Sequence, residues 1–192
     1  MYLRKDSQGY FYKKKLSIFL DRDGVINKDL GYVYQIKDFI LYEDAINLIN
    51  FYGSQNVPLI LVTNQSGIGR GYYSLEEFYN LNNYFLNSFD EKVRKNIFIN
   101  FCPHDPKLRC YCRKPETYMF RKFIKRFSIN LSNSIMVGDK LTDLKAAWRS
   151  KIKKIYYINR DNDFNDLNKL SPQMLEKITA INSLNQLIDK IG

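Results

Sequence analysis

Five short apolar runs punctuate the chain: Leu16 to Leu20, Leu59 to Val62, Ile97 to Phe101, Ile135 to Val137 and Ile155 to Ile158. Each is bounded by polar residues or glycine and is too short for a buried helix, so each suits a strand covered on both faces of a parallel sheet. Between them the spacing predicts helices at about Glu43 to Tyr52, Leu75 to Ser88, Tyr118 to Phe127 and Asp143 to Ser150. Ser74, with Glu77 three positions on, predicts a capping box that opens the second of these. This alternation implies an α/β protein, a single doubly wound (Rossmann-like) parallel sheet with helices on both faces. Ligands of such sheets lie beyond the carboxyl ends of the strands, so the residues following each run are the candidate functional ones.

A length of 192 residues suits one domain over 1–192, with Met1 to Lys15 as a basic leader or an added edge hairpin. With 45% apolar and 26% charged residues, the chain is unlike disordered, collagen-like or membrane-embedded sequences. After Lys13, Lys14 and Lys15 the apolar run stops at Asp21, too soon for a secretory signal, and no run is long enough to cross a bilayer. We therefore expect a cytoplasmic protein without membrane partners. A formal charge of +10 would draw in phosphorylated small molecules, nucleic acid or anionic surfaces alike. Its basic blocks, such as Arg121 to Arg126 and Lys145 to Lys154, read first as solvated faces.

Three polar motifs follow predicted strands. Asp21-Arg22-Asp23-Gly24 comes directly after the first; side chains two apart on an extended segment point the same way, so the two carboxylates converge. One can attack phosphorus and the other can move protons, although a solvated Asp-rich turn would look the same in isolation. Thr63-Asn64-Gln65-Ser66-Gly67, with Gly69 and Gly71 beyond it, offers a hydroxyl and close backbone approach to a phosphoryl group. Gly138-Asp139-Lys140-Leu141-Thr142-Asp143 places Asp139 where it could share a hard cation with Asp21. Asp143, one helical turn on, either braces that cation site or compensates the helix N-terminus.

The odd number of cysteines cannot pair completely, and Cys102, Cys110 and Cys112 cluster with the chain's only histidine, His104. The CxH and CxC pairs match the tetrahedral ligand set of a closed structural zinc site, one that would hold a loop and leave no position for water. Arg113-Lys114-Pro115 follows at once, a compact charge for a transferring phosphoryl group beside a guanidinium able to grip a second phosphate.

Taken in order, Asp21/Asp23, Thr63, Lys114 and Asp139 resemble the motifs of the haloacid dehalogenase (HAD) superfamily of phosphohydrolases. The zinc loop at 102–112 resembles the branch of histidinol-phosphate phosphatases and heptose 1,7-bisphosphate 7-phosphatases. Asp29-Leu30-Gly31-Tyr32-Val33 and the stretch Asn64 to Gly71 favour the heptose side; a short zinc loop is shared with the histidinol side. The resemblance, covering about Leu16 to Ile158, implies Asp21 as nucleophile, Asp23 as acid/base, and Thr63 and Lys114 steadying the phosphoryl group. It implies Mg²⁺ on Asp21, Asp139 and the main-chain carbonyl of Asp23, and Zn²⁺ on Cys102, His104, Cys110 and Cys112. Substrate contacts would come from Arg22, Asp29, Leu30, Gly31, Tyr32, Asn64, Gln65, Ser66, Arg113 and Lys140. The expected substrate is a phosphorylated sugar on the way to lipopolysaccharide core or another surface glycan, handled by a monomer with no large cap. A basic zinc module for nucleic acid is the alternative of another class, and no nucleic-acid partner is expected.

Overall fold

Each of the five apolar runs is a strand. The computed structural model describes residues 16–127 and 129–191, so the basic leader lies outside the described residues. In chain order the elements are β1 (Ser17–Leu20), α1 (Glu43–Ser54), β2 (Leu59–Asn64), α2 (Ser66–Gly69), α3 (Leu75–Asn87), α4 (Glu91–Arg94) and β3 (Ile97–Cys102). There follow α5 (Tyr118–Phe127), β4 (Ser134–Gly138), α6 (Leu141–Arg149), β5 (Lys154–Ile158), α7 (Pro172–Leu175), β6 (Ile178–Ile181) and α8 (Asn185–Ile191). The predicted capping box starts α3: Ser74 Oγ accepts from Glu77 N–H, and Glu77 returns a carboxylate oxygen to Ser74 N–H at 2.7 Å.

The strands form one parallel sheet in the order β3-β2-β1-β4-β5-β6. Register pairs Ile18 with Leu59 on one side and Ile135 on the other, and Leu20 with Leu61 and Val137. The alternation of strand side chains then divides the core. Ile18, Leu20, Leu59, Leu61, Ile135 and Val137 pack under α1 and α3, whereas Phe19, Ile60, Val62 and Met136 face α5 and α6. Phe19 has no exposed surface and meets the Phe120 ring at 5.2 Å. Truncation of such a residue to alanine costs about 3 to 5 kcal/mol.

β6 was absent from the sequence-based expectation because it is an edge strand. Thr179 and Ala180 at its centre are exposed, so it shows no apolar run. The last elements are fastened from within. Asp44, at the start of α1, accepts from both Nη atoms of Arg160 (2.9 and 3.0 Å), from Ser183 Oγ (2.8 Å) and from Leu184 N–H (2.8 Å). Arg160 Nη2 also donates to the carbonyl of Val25, in the turn after β1, at 3.1 Å.

From β1 the chain winds outward through β2 and β3, then returns to lay β4 against the opposite side of β1. Two connections thus diverge between β1 and β4, opening a crevice at the carboxyl ends of these strands. Asp21 N–H donates to the Val137 carbonyl at 3.0 Å, carrying the ladder one residue past β1 to the floor of that crevice. The segments Asp23–Thr63 and Thr63–Lys114 contain core elements and the cysteine loop, with no separate cap among the described residues. No helix of the described residues is long and apolar enough to cross a membrane.

Candidate active site

The crevice is a cleft of about 530 Å³, within the range of small-molecule sites. At its floor Asp21 is fixed by the Arg22 N–H, which donates to Asp21 Oδ1 at 2.7 Å. Lys114, 1% exposed, reaches in from the loop after β3. Its Nζ lies 2.9 Å from Asp21 Oδ1 and 2.6 Å from Asp143 Oδ1, and donates to the Val62 carbonyl at 2.6 Å. Gly24 turns the chain with φ +88°, and a Cβ there would stand 2.2 Å from Asp139 Oδ2. Glycine is therefore required twice, by the backbone angle and by the neighbouring carboxylate.

Carboxylate oxygens of Asp21, Asp139 and Asp143 converge within 4.8 Å of one another. Burial pushes the Asp139 pKa up to about 8, with the charges of Asp21 and Asp143 adding to it. Asp21 rises to about 6, again mainly through burial, against the pull of Lys114. Burial opposes the charge on Lys114, but Asp143 and Asp21 outweigh it and hold its pKa above the ordinary lysine value. Asp139 Oδ1 is buried without a hydrogen-bond partner. A crowded carboxylate group with an orphaned oxygen, met closely by Lys114 and by Lys140 only at 3.9 Å from Asp139, suits a hard divalent ion, which would supply the missing positive charge. One Asp143 oxygen faces Lys114, and the other accepts from Lys140 N–H at 3.0 Å, which is the helix N-terminal role expected of it at α6.

Of the remaining candidates, Asp23, Asp29, Gly31, Tyr32, Thr63, Asn64, Gln65, Ser66, Arg113 and Lys140 line the cleft. Arg22 and Leu30 do not. The Arg22 guanidinium is fully buried; Nε and Nη2 both donate to Asp23 (2.8–3.1 Å), and Nη2 also donates to the Val33 carbonyl. It braces Asp23 from behind, in place of the expected substrate contact. Leu30 projects outward, 56% exposed.

Asn64 lines the cleft, but its amide is committed to the chain. Oδ1 accepts from Lys114 N–H at 3.0 Å and Nδ2 donates to the Lys114 carbonyl at 3.2 Å, gripping that loop against β2. Lys140 and Asp29 pair at 2.8 Å across the mouth, and the Lys140 bond holds Asp29 below its ordinary pKa despite burial. Arg113 carries a buried Nη1 without a partner. Two of the glycines expected to admit phosphate, Gly67 and Gly69, make room for the chain itself. A Cβ at Gly67 would strike the Tyr73 ring, and one at Gly69 would meet backbone atoms of Asp105 and Pro103 at 2.6 and 2.7 Å. Leu141 and Thr142, within the motif after β4, also line the cleft, as do Tyr73 and Asp166, whose sequence surroundings had not singled them out.

Behind this wall the loop after β3 gathers four ligand atoms. Sulfur separations are 3.4 Å for Cys102–Cys110, 3.3 Å for Cys102–Cys112 and 3.5 Å for Cys110–Cys112. His104 Nδ1 lies 3.6 Å from Cys102 Sγ and 3.1 Å from Cys112 Sγ. A tetrahedron with zinc–sulfur bonds of ~2.3 Å has edges of roughly 3.8 Å, so the donor set fits a closed zinc site after slight expansion. Burial, reinforced by the neighbouring thiols, pushes the Cys102 thiol well above its ordinary pKa, and a metal would have to displace that proton.

A parallel sheet with this strand order, carrying acidic residues after β1 and β4 and a lysine after β3, is the framework of the HAD-like hydrolases. The family model described as HAD-hydrolase-like matches residues 111–180. The D-glycero-alpha-D-manno-heptose-1,7-bisphosphate 7-phosphatase of Campylobacter jejuni is 39% identical over 81% of this chain and 90% of its own length. The beta-named counterpart from Helicobacter pylori is 41% identical over 71% of this chain and 80% of its own. A crystal structure of D,D-heptose 1,7-bisphosphate phosphatase from B. bronchiseptica, complexed with magnesium and phosphate, superposes with a TM-score of 0.76. It has 27% identity and covers 92% of this chain and 99% of that one. This chain belongs to the heptose-1,7-bisphosphate 7-phosphatase family within the HAD-like hydrolases.

Proposed function

We propose that the protein removes the 7-phosphate of a D-glycero-D-manno-heptose 1,7-bisphosphate, leaving heptose 1-phosphate. The observation that carries this reading is the convergence of Asp21, Asp139 and Lys114 under a cleft whose wall holds Arg113 with an unpartnered Nη1. That arrangement offers one set of charges for a transferring phosphoryl group and a second for a phosphate kept at the other end of the sugar.

In the first step an Asp21 carboxylate oxygen attacks phosphorus; the bond from phosphorus to the sugar oxygen breaks, and Asp23 gives its proton to that oxygen. In the second step water attacks the aspartyl phosphate and loses a proton to Asp23, releasing inorganic phosphate and the Asp21 carboxylate. Lys114 and the Thr63 hydroxyl steady the phosphoryl oxygens in flight. Asp21, Asp139 and the Asp23 carbonyl would hold Mg²⁺, which offsets the negative charge gathered between phosphate and carboxylates when bound. Cys102, His104, Cys110 and Cys112 would hold Zn²⁺ as a loop anchor. Asp29, Lys140, Gly31, Tyr32, Gln65 and Ser66 form the rim against which the sugar is placed.

The test is phosphate release from both heptose bisphosphate anomers, fructose 1,6-bisphosphate and histidinol phosphate, compared by kcat/KM. Preference for a heptose bisphosphate over the other two by at least a hundredfold is expected, because paired polar groups reject ligands that leave them unmatched. Equal or better turnover of histidinol phosphate would overturn the substrate assignment.

A further inference from the structure

Beyond the residues already given roles, the cleft contains a buried hydrogen-bond relay whose far end is a tyrosine. Asp23 is held on three sides. Arg22 donates to both of its oxygens, Asn27 Nδ2 donates to Oδ1 at 3.0 Å, and Gln65 Nε2 donates to Oδ2 at 2.9 Å. The same Gln65 Nε2 also donates to Thr63 Oγ1 at 2.8 Å. A carboxamide can do this only in one of its two orientations, since a flipped amide would present its oxygen to the Asp23 carboxylate. Asp23, which can only accept, selects this orientation, and the other end of the amide is held in turn. Gln65 Oε1 accepts from the Tyr73 hydroxyl at 2.5 Å and, at a longer 3.3 Å, from Arg22 Nη2.

Tyr73 is itself fixed. It is 5% exposed, its ring stacks on Tyr34 at 5.1 Å, and the absent side chain of Gly67 makes room for it. Burial, with the nearby Asp23 charge and against the pull of Arg22, keeps its phenol well above the ordinary pKa, so the hydroxyl retains the proton it gives to Gln65 Oε1.

We infer that Tyr73 is a positioning residue that, by pinning the Gln65 carboxamide, sets the orientation in which Asp23 meets the leaving oxygen. This rests on the proposed role of Asp23 as the acid/base. Without the hydroxyl, Gln65 Oε1 retains only its long contact to Arg22, and the population of the productive amide orientation falls.

The experiment compares first-turnover rates for a sugar phosphate, whose leaving oxygen needs a proton, and 4-nitrophenyl phosphate, whose leaving group departs without one. Tyr73→Phe, Asp23→Asn and the double variant are measured together, with Gln65→Met as an independent break in the same relay. Tyr73→Phe is expected to lower the first-turnover rate on the sugar phosphate about tenfold, with half-saturation within twofold and the first turnover of the aryl phosphate nearly unaffected. Gln65→Met should show the same dependence on the leaving group at saturating substrate, with KM for the sugar phosphate free to rise because Gln65 also stands on the rim. The double variant should be no slower than Asp23→Asn alone, because both changes act through one group.

If Asp23→Asn shows the leaving-group dependence while Tyr73→Phe and Gln65→Met slow both substrates equally, or neither, the inference is overturned and the role of Asp23 survives. If Asp23→Asn slows both substrates alike, the acid/base reading itself fails and the relay has no function to serve. Thermal melts of every variant, expected within a few degrees of wild type for Tyr73→Phe, separate a positional effect from loss of fold.

Discussion

Two clusters of metal-competent side chains are built on opposite plans. Cys102, His104, Cys110 and Cys112 come from one short stretch and supply soft ligands on all sides, which leaves no position for a substrate. Asp21 comes from the turn after β1, and Asp139 and Asp143 from the turn after β4 and the start of α6; together they supply hard oxygens from one side, with the other side open to the cleft. The difference separates a part that holds a loop in place from a part that can exchange ligands. Lys114 joins them, two residues after the last cysteine with its amine between two of the carboxylates.

The sharpest way to break this contrast is at the open cluster. Asp21→Asn is expected to reduce phosphate release by on the order of 10⁴-fold or more while the protein stays folded, as judged by its melting curve. Wild-type-like turnover would remove Asp21 from the chemistry. At the closed cluster, elemental analysis should find one zinc per chain. Cys112→Ser should weaken zinc retention by at least about a hundredfold and depress kcat/KM through the displaced Arg113 and Lys114. Full activity in zinc-free protein would show that the two clusters are independent.

The clusters should also differ in their response to pH. Burial raises Asp139 and Asp21 from 3.8 to about 8 and about 6, so the folded metal-free protein holds protons that the unfolded chain has released. Stability in chelator should therefore fall as pH rises from about 4 to about 8, and millimolar Mg²⁺ should raise the melting temperature most at the alkaline end. A magnesium effect that is uniform over this range would mean the ion binds elsewhere. The smallest expected effect is that of Gly69→Ala, whose new methyl would press on the Pro103 and Asp105 backbone. A loss of about 1 to 3 kcal/mol is expected by denaturant unfolding, with activity falling only as far as the cysteine loop shifts.

Legibility in the sequence followed the same division. The ligands of the closed cluster are neighbours in the chain, so the quartet stands out by spacing alone. The open one needs the fold: only the crossover that sets β4 beside β1 brings Asp139 to Asp21, and that crossover was inferred from apolar runs that are legible because both faces of each strand are covered. β6 escaped because half of it is exposed. The bonds that tie Arg22 and Asn64 to the chain were illegible for a common reason. An arginine or an asparagine in a polar motif looks ready for a ligand, and only coordinates reveal that Asp23 and the Lys114 main chain already hold them. Tyr73 gave no sign at all, since its importance lies in one hydroxyl aimed at Gln65.

The Asp44–Arg160 pair has a consequence for the far end of the chain. Through it, Ser183 and Leu184 are tied to α1, and Arg160 passes the same tie on to Val25, two residues beyond Asp23. The polypeptide's closing stretch is thus a back-stay for the turn at its opening: clip that stretch away, and slack would be felt where the nucleophile's neighbour swings.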